Sequence, residues 1–232
     1  MRVALRMFND RVDGARRLLP RLSHLRGQRV VVLAIPRGGV VTGYTIAQHF
    51  GWPLGLVLTK KIGHPVDPEY AIGAVSADTV YIDPQQRDVD SGYIKQQTVR
   101  LQKLLRERAA RMNAVCPPPN VAGATVVIVD DGIATGHTMR AALAAVRKLH
   151  PARVIVAAPV AAPSIPVELA DVADDVVILD TPDDFMGVGQ FYEQFDQVQD
   201  SEVERLLISA HATTEPPAYH AAADAGRRTH KP

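Results

Sequence analysis

The residues with most chemistry to offer stand side by side at Asp130 and Asp131, where they close the apolar run Val126 to Val129. The loop Gly132-Ile133-Ala134-Thr135-Gly136-His137-Thr138 follows, and a helical pattern begins after it. Backbone N–H groups at a helix start have no intrahelical acceptor, and the helix dipole there favours an anion by a few tenths to about 1 kcal/mol. Gly132 and Gly136 permit positive φ and close backbone approach. Thr135 and Thr138 add hydroxyl donors. A phosphate fits this loop, yet two carboxylates beside it would repel the phosphate unless they faced neutral donors. Hydroxyl groups meet that need, because a carboxylate accepts two such bonds in a fixed geometry. A five-carbon sugar with a 5′-phosphate satisfies both halves, so the stretch reads as a ribose 5-phosphate site.

Other phosphate motifs fail on spacing. A nucleotide-binding P-loop requires G-x-x-x-x-G-K-[ST], but three residues separate Gly132 from Gly136 and His137 stands where the lysine would be. No G-x-G-x-x-G is present, and no G-x-S-x-G elbow points to a serine hydrolase. A second strand-end loop, Ala34-Ile35-Pro36-Arg37-Gly38-Gly39, offers a cation and two glycines. Alone it reads equally as an anion loop or a plain β–α turn. Lys60 and Lys61 follow a further apolar run.

These groups need a frame that collects strand ends. Val30 to Ile35, Leu54 to Thr59, Val126 to Val129, Val154 to Ala158 and Val176 to Leu179 are short continuous apolar runs, as in strands buried on both faces. Helical patterns over Asn9 to His24, Val40 to Phe50 and Met139 to Leu149 lie between them, the last apolar at Met139, Leu143, Val146 and Leu149. The alternation predicts an α/β fold, a doubly wound and mainly parallel sheet that binds ligands at its carboxyl edge. Residues 60–90 break the rhythm: Ala71 to Val75 and Thr79 to Ile82 read as an antiparallel pair turned near Ala77-Asp78. Ser91 to Met112 reads as a long helix with Ile94, Leu101, Leu104 and Leu105 as its apolar edge. Its Arg100, Lys103, Arg106, Arg108 and Arg111 read as a solvated face. Residues 211–232 have the composition of a disordered tail, leaving 1–210 as one domain.

Composition narrows the class. The 232 residues are 47% apolar and 22% charged with a net charge of +1, which suits a globular chain and argues against a nucleic-acid partner. Cys116 is the single cysteine, so neither an internal disulfide nor a cysteine-based metal site is available. The charged amino terminus lacks a signal-peptide core, and the apolar runs are too short to span a bilayer; a cytoplasmic location is expected.

With these residues in view, "VVIVDDGIATGHT" resembles the phosphoribosyl diphosphate (PRPP) signature of the type I phosphoribosyltransferases. The resemblance implies that Asp130 and Asp131 hold the ribose hydroxyls and that Ala134 to Thr138 hold the 5′-phosphate. "AIPRGG" is similar to the family's diphosphate loop, which would make Arg37, Gly38 and Gly39 diphosphate ligands and puts a non-proline cis peptide next to Arg37 or Gly38. Lys60 and Lys61 match the basic position that approaches the diphosphate, with a flexible lid over about 60–90. "KKIGHPVDPEYAIGAV" resembles a group of bacterial phosphoribosyltransferase-domain proteins of undefined substrate. Some of those are fused to hydrolase-like domains, for which 232 residues are not expected to leave room. "TPDDFMGVGQFYEQF" looks like the hood of hypoxanthine-guanine phosphoribosyltransferases, about 181–200, with Phe185 as the base-stacking aromatic.

Two departures count against a 6-oxopurine acceptor. Ala134 replaces the acidic residue that those enzymes carry in the phosphate loop, and no lysine lies between Lys148 and Lys231. The resemblance implies transfer of the phosphoribosyl group to a nitrogen nucleophile, most simply a nucleobase, with Mg²⁺ held mainly by substrate rather than by protein ligands. It also implies a homodimer. The alternative is a non-catalytic PRPP sensor or regulator that binds nucleic acid.

Overall fold

Two cores divide the apolar runs between them, and that division sets the layers. In the computed structural model, which describes residues 8–68, 70–86 and 88–214, Val30, Val32 and Ala34 of β1 (Val30–Ala34) share one cluster with Val127, Val129, Ile155 and Ala157. Val31 and Leu33 share the other with Val126, Ile128, Val154 and Val156. Successive strand residues point to opposite faces, so strands apolar throughout must be covered on both sides. Besides β1, these strands are β2 (Leu54–Leu56), β6 (Thr125–Val129), β7 (Arg153–Val160) and β8 (Asp175–Asp180). All pair in parallel, in the order β2-β1-β6-β7-β8.

Helices cover both faces. α1 (Arg11–Leu22), α2 (Gly38–Phe50) and α6 (Asp200–Thr214) bring Leu18, Leu22, Ile46, Val203 and Leu207 to the first core. α4 (His137–Arg147) and α5 (Ile165–Ala170) bring Met139, Leu143, Ile165 and Leu169 to the second. The expected doubly wound sheet is therefore present. Its order reverses between β1 and β6, so the carboxyl ends of those two strands are neighbours, with Ala34 in register with Val129. That reversal is where open α/β sheets take their ligands.

The run read as one strand from Leu54 to Thr59 is divided. The Val57 amide still donates to the Ala34 carbonyl at 3.1 Å, but the chain then leaves the main sheet. It starts a second, antiparallel sheet of β3 (Thr59–Gly63), β4 (Ala71–Ser76) and β5 (Val80–Ile82). Lys60 and Lys61 accordingly lie within β3, opposite Val75 and Ala74, rather than past a strand end. The turn near Ala77-Asp78 is present, closed by Ser76 N–H to the Thr79 carbonyl at 3.0 Å. Ile62, Ile72 and Val75 pack on Leu101 and Leu105 of α3 (Ser91–Val115), and Thr79 Oγ1 donates to the Ala141 carbonyl of α4 at 3.3 Å.

Leu104 and Leu149, read as apolar-edge residues, are 41% and 53% exposed. Leu104 lies on the outer face of α3, and Leu149 lies past the end of α4. Helix α6 continues through Thr214, into the segment read as a tail; residues 215–232 lie outside the described residues. No helix among the described residues is long and apolar enough to cross a membrane.

Candidate active site

The two strand-end motifs meet because β1 and β6 are neighbours. After β1, the Ile35 amide donates to the Val129 carbonyl at 2.9 Å, the Pro36–Arg37 peptide is cis, and α2 begins at Gly38. After β6 come Asp130 and Asp131. The loops are in direct contact. A Cβ built on Gly38 would stand 1.8 Å from Asp131 Oδ2, and one on Gly39 would stand 2.8 Å from Asp130 Oδ1 and 2.9 Å from the Val129 carbonyl oxygen. Any side chain at 38 or 39 would occupy space held by the acids, so these glycines have a packing cause that residue types alone do not disclose.

Each acid has defined partners. Asp131 Oδ2 accepts from Arg11 Nε at 2.7 Å, with the two side chains only 13% and 11% exposed. Arg11 is the first residue of α1, set there by the Asp10 carboxylate, which accepts from the Asp13 amide at 2.8 Å; such a cap contributes about 1 kcal/mol. The Arg11 Nη1 group donates to the Asp196 carbonyl at 2.8 Å, and its guanidinium carbon sits 3.9 Å above the Phe195 ring centre. The Tyr192 hydroxyl donates to the Asp131 carbonyl at 2.6 Å. Asp130 Oδ1 accepts from the Asp131 amide at 2.9 Å. Burial, and then the charge of Asp131, push the Asp130 carboxyl well above the usual carboxylate range, while Arg11 acts in the opposite sense. Burial and the same carboxylate raise the Tyr192 hydroxyl too.

The following loop is anchored at one end and open at the other. Ile133 donates to Val160 O at 3.0 Å and accepts from the Ala162 amide at 2.9 Å, which fastens it to β7. Ala134 and Thr135 line its open part, with Thr135 exposed. Gly136 has φ of 70° and caps α4 without a side-chain bond, so the first-turn amides around His137 and Thr138 start the helix with no side-chain acceptor from the cap. Gly132 differs from the expectation: its φ is not in the left-handed region, and its bareness instead admits Val188, whose Cγ1 would lie 2.4 Å from an added Cβ.

His137 turns its ring away from the loop. Its Nε2 lies 3.2 Å from Asp83 Oδ2, beyond the end of β5, and its buried Nδ1 has no hydrogen-bond partner. This contact ties the small sheet to the start of α4. Lys61 borders a cleft of about 810 Å³ beside Thr135, His137 and Arg140, a size in the range of small-molecule sites. Lys60, its neighbour on β3, points to the opposite face of that sheet. Phe185 sits in an aromatic cluster with Phe8, Phe191, Tyr192 and Phe195, its ring 5.5 Å from that of Phe191. Arg11, Tyr192, Phe195 and Asp83 escaped sequence reading. The aromatic spacing in "FYEQF" was the one local signal for any of them.

Comparison with known proteins agrees with this geometry. The phosphoribosyl transferase domain model matches residues 7–196. A Mycobacterium tuberculosis protein provisionally named a phosphoribosyl transferase is 38% identical over 225 residues, covering 95% of this chain and 51% of the relative, and its counterpart in a second strain matches equally. The chain thus spans about half the length of the curated relatives it matches. The crystal structure of TT1426 from Thermus thermophilus superposes with a TM-score of 0.75 at 40% identity, covering 88% of this chain and 98% of that one. A parallel sheet reversing at β1 and β6, with an acid pair and a glycine-capped helix at the reversal, is the type I arrangement, and the chain belongs to the phosphoribosyl transferase domain family.

Proposed function

We propose that the protein transfers the 5-phosphoribosyl group of PRPP to a nitrogen nucleophile of nucleobase type, releasing diphosphate. The observation that carries this reading is the contact between the two strand-end motifs. The Gly38–Gly39 backbone lies against the Asp130–Asp131 carboxylates, so a diphosphate on one and a ribose on the other would share one ligand. The acceptor nitrogen attacks C1 of the ribose, the bond from C1 to the diphosphate oxygen breaks, and positive charge develops on the ring. Asp130 and Asp131 accept bonds from the ribose hydroxyls and offset that charge. Ala134, Thr135, Gly136, His137 and Thr138 receive the 5′-phosphate at the start of α4, where the Gly136 cap offers no side-chain acceptor. Arg37, the amides of Gly38 and Gly39, and Lys60 or Lys61 hold the leaving diphosphate.

The donor set fits a metal carried in by the substrate. Among the described residues, no group of three or more histidine, cysteine or acidic side chains forms a cage, so Mg²⁺ would be held chiefly by substrate oxygens with Asp130 and Asp131 beside it. When bound, it would neutralise charge on the diphosphate. Phe185 is the candidate platform for the base, where stacking contributes about 1–3 kcal/mol without selecting a particular base. With Ala134 in the loop, no acidic general base is supplied there.

Replacing both acids, as Asp130→Asn with Asp131→Asn, is expected to abolish PRPP binding in calorimetry. Unchanged binding would refute the reading. Diphosphate release from PRPP and Mg²⁺ across a panel of bases then tests transfer. Tight PRPP binding without release for any base would replace the transferase by a PRPP-binding regulator.

A further inference from the structure

Arg11 belongs to neither strand-end motif, yet its side chain pairs directly with a carboxylate of the acid pair. It reaches Asp131 across 120 residues of sequence. Three restraints hold its guanidinium: the Asp131 carboxylate at 2.7 Å, the Asp196 carbonyl at 2.8 Å and the Phe195 ring at 3.9 Å. A planar guanidinium fixed in this way offers positive charge in one direction. The oxygen it meets, Oδ2, lies against the Gly38 backbone, and an added Cβ there would also come within 3.0 Å of Arg11 Nε. The α1 start, the diphosphate-loop backbone and the second acid therefore converge at one point.

That convergence answers a problem posed by adjacent carboxylates. Two carboxylates in contact repel, and one without a fixed partner would swing away from its neighbour. Ribose hydroxyls need acceptors. A carboxylate has about four acceptor positions, so one bond to Arg11 leaves capacity for a ligand.

We propose that Arg11 is a positioning residue for ribose recognition, fixing the Asp131 carboxylate against the diphosphate-loop backbone so that its remaining acceptor positions are held for the ribose hydroxyls. This rests on the PRPP reading above. Arg11 acts through Asp131, so its loss should penalise ligands that carry ribose and spare those that do not.

The test is calorimetric titration of wild type, Arg11→Gln and Arg11→Lys with PRPP and, separately, with inorganic diphosphate, both with Mg²⁺. Thermal melts establish that each variant is folded at the assay temperature. Loss of a charged hydrogen bond worth about 1.5–3 kcal/mol corresponds to about 10–140-fold. Arg11→Gln is therefore expected to weaken PRPP by at least about tenfold and to leave diphosphate affinity within about twofold. Arg11→Lys is expected to recover part of the loss. Equal weakening of both ligands, unchanged PRPP affinity in Arg11→Gln, or a lysine variant no better than glutamine would each overturn the proposal. If wild type fails to bind PRPP, the functional reading falls before any variant is compared, and this inference falls with it.

Discussion

Gly38→Ala has an effect whose sign should depend on residue 131. The new methyl carbon would stand 1.8 Å from Asp131 Oδ2 and 2.6 Å from its Cγ, whereas real Cβ atoms essentially never approach within 3.0 Å. The carboxylate must retreat by about 1.2 Å, and moving straight away from the new methyl stretches its 2.7 Å bond to Arg11 to about 3.1 Å, which weakens it. Overpacking costs about 1–3 kcal/mol, and weakening a charged hydrogen bond forfeits part of its about 1.5–3 kcal/mol. The two overlap, so a net loss of about 2–4 kcal/mol is expected. In an Asp131→Ala background the main obstacle is gone, and Arg11 Nε, 3.0 Å from the new carbon, is released from Asp131 and can move aside. Gly38 has no left-handed φ, so alanine should then stabilise by about 0.4–1 kcal/mol by restricting the unfolded chain. Urea unfolding of the four proteins, with m held common, gives both values. Equal destabilisation in the two backgrounds, within about 0.5 kcal/mol, would refute the contact as the cause.

Two further outcomes follow from the same region. Burial and Asp131 raise the folded-state carboxyl of Asp130, so its ionisation is less favourable in the folded protein than in the unfolded chain and lowers stability. Asp130→Asn should therefore stabilise the fold at neutral pH, and the gain should shrink as pH falls toward the unfolded carboxyl value of about 4; urea midpoints at several pH values measure this, and a gain that grows on acidification would contradict it. Asp83→Ala removes the partner of His137 Nε2 and should cost about 1–3 kcal/mol. Amide exchange by mass spectrometry should rise in β4 and β5 and stay constant in β6 and β7; uniform change across the protein would show that the contact does not tether the small sheet.

Features set by local pattern were legible in the sequence. The apolar runs gave the parallel strands because both faces of that sheet are covered, and Asp130-Asp131 and Arg37-Gly38-Gly39 announced themselves at strand ends. The short helix α5 was unread because six residues with Pro166 in the first turn carry too little periodicity. The division of the Leu54 to Thr59 run was unread because Val57 and Leu58 are as apolar as the strands they separate. Within the site, Arg11 and Asp83 were missed for a different reason. Their partners lie 120 and 54 residues away, and an arginine behind an aspartate cap looks the same whether or not it meets a carboxylate. The glycines were read as room for an anion, whereas the structure also assigns that room to neighbouring side chains.

The chain leaves the main sheet after β2, builds β3, β4, β5 and α3 as a separate layer, and returns past Pro117 to Pro119 to enter β6. None of those intervening strands pairs with β1 or β6. The strand pairing that joins Gly38 and Gly39 to Asp130 and Asp131 is therefore complete without them, and topologically the stretch from 59 to 115 is an insertion between β2 and β6, the two strands that flank β1. An insertion of this kind can lengthen, shorten or be replaced during descent while the strand-end contacts stay fixed. The layer bearing Lys60 and Lys61 is held to that frame by side-chain contacts, Asp83 to His137 and Thr79 to the Ala141 carbonyl, and not by strand pairing.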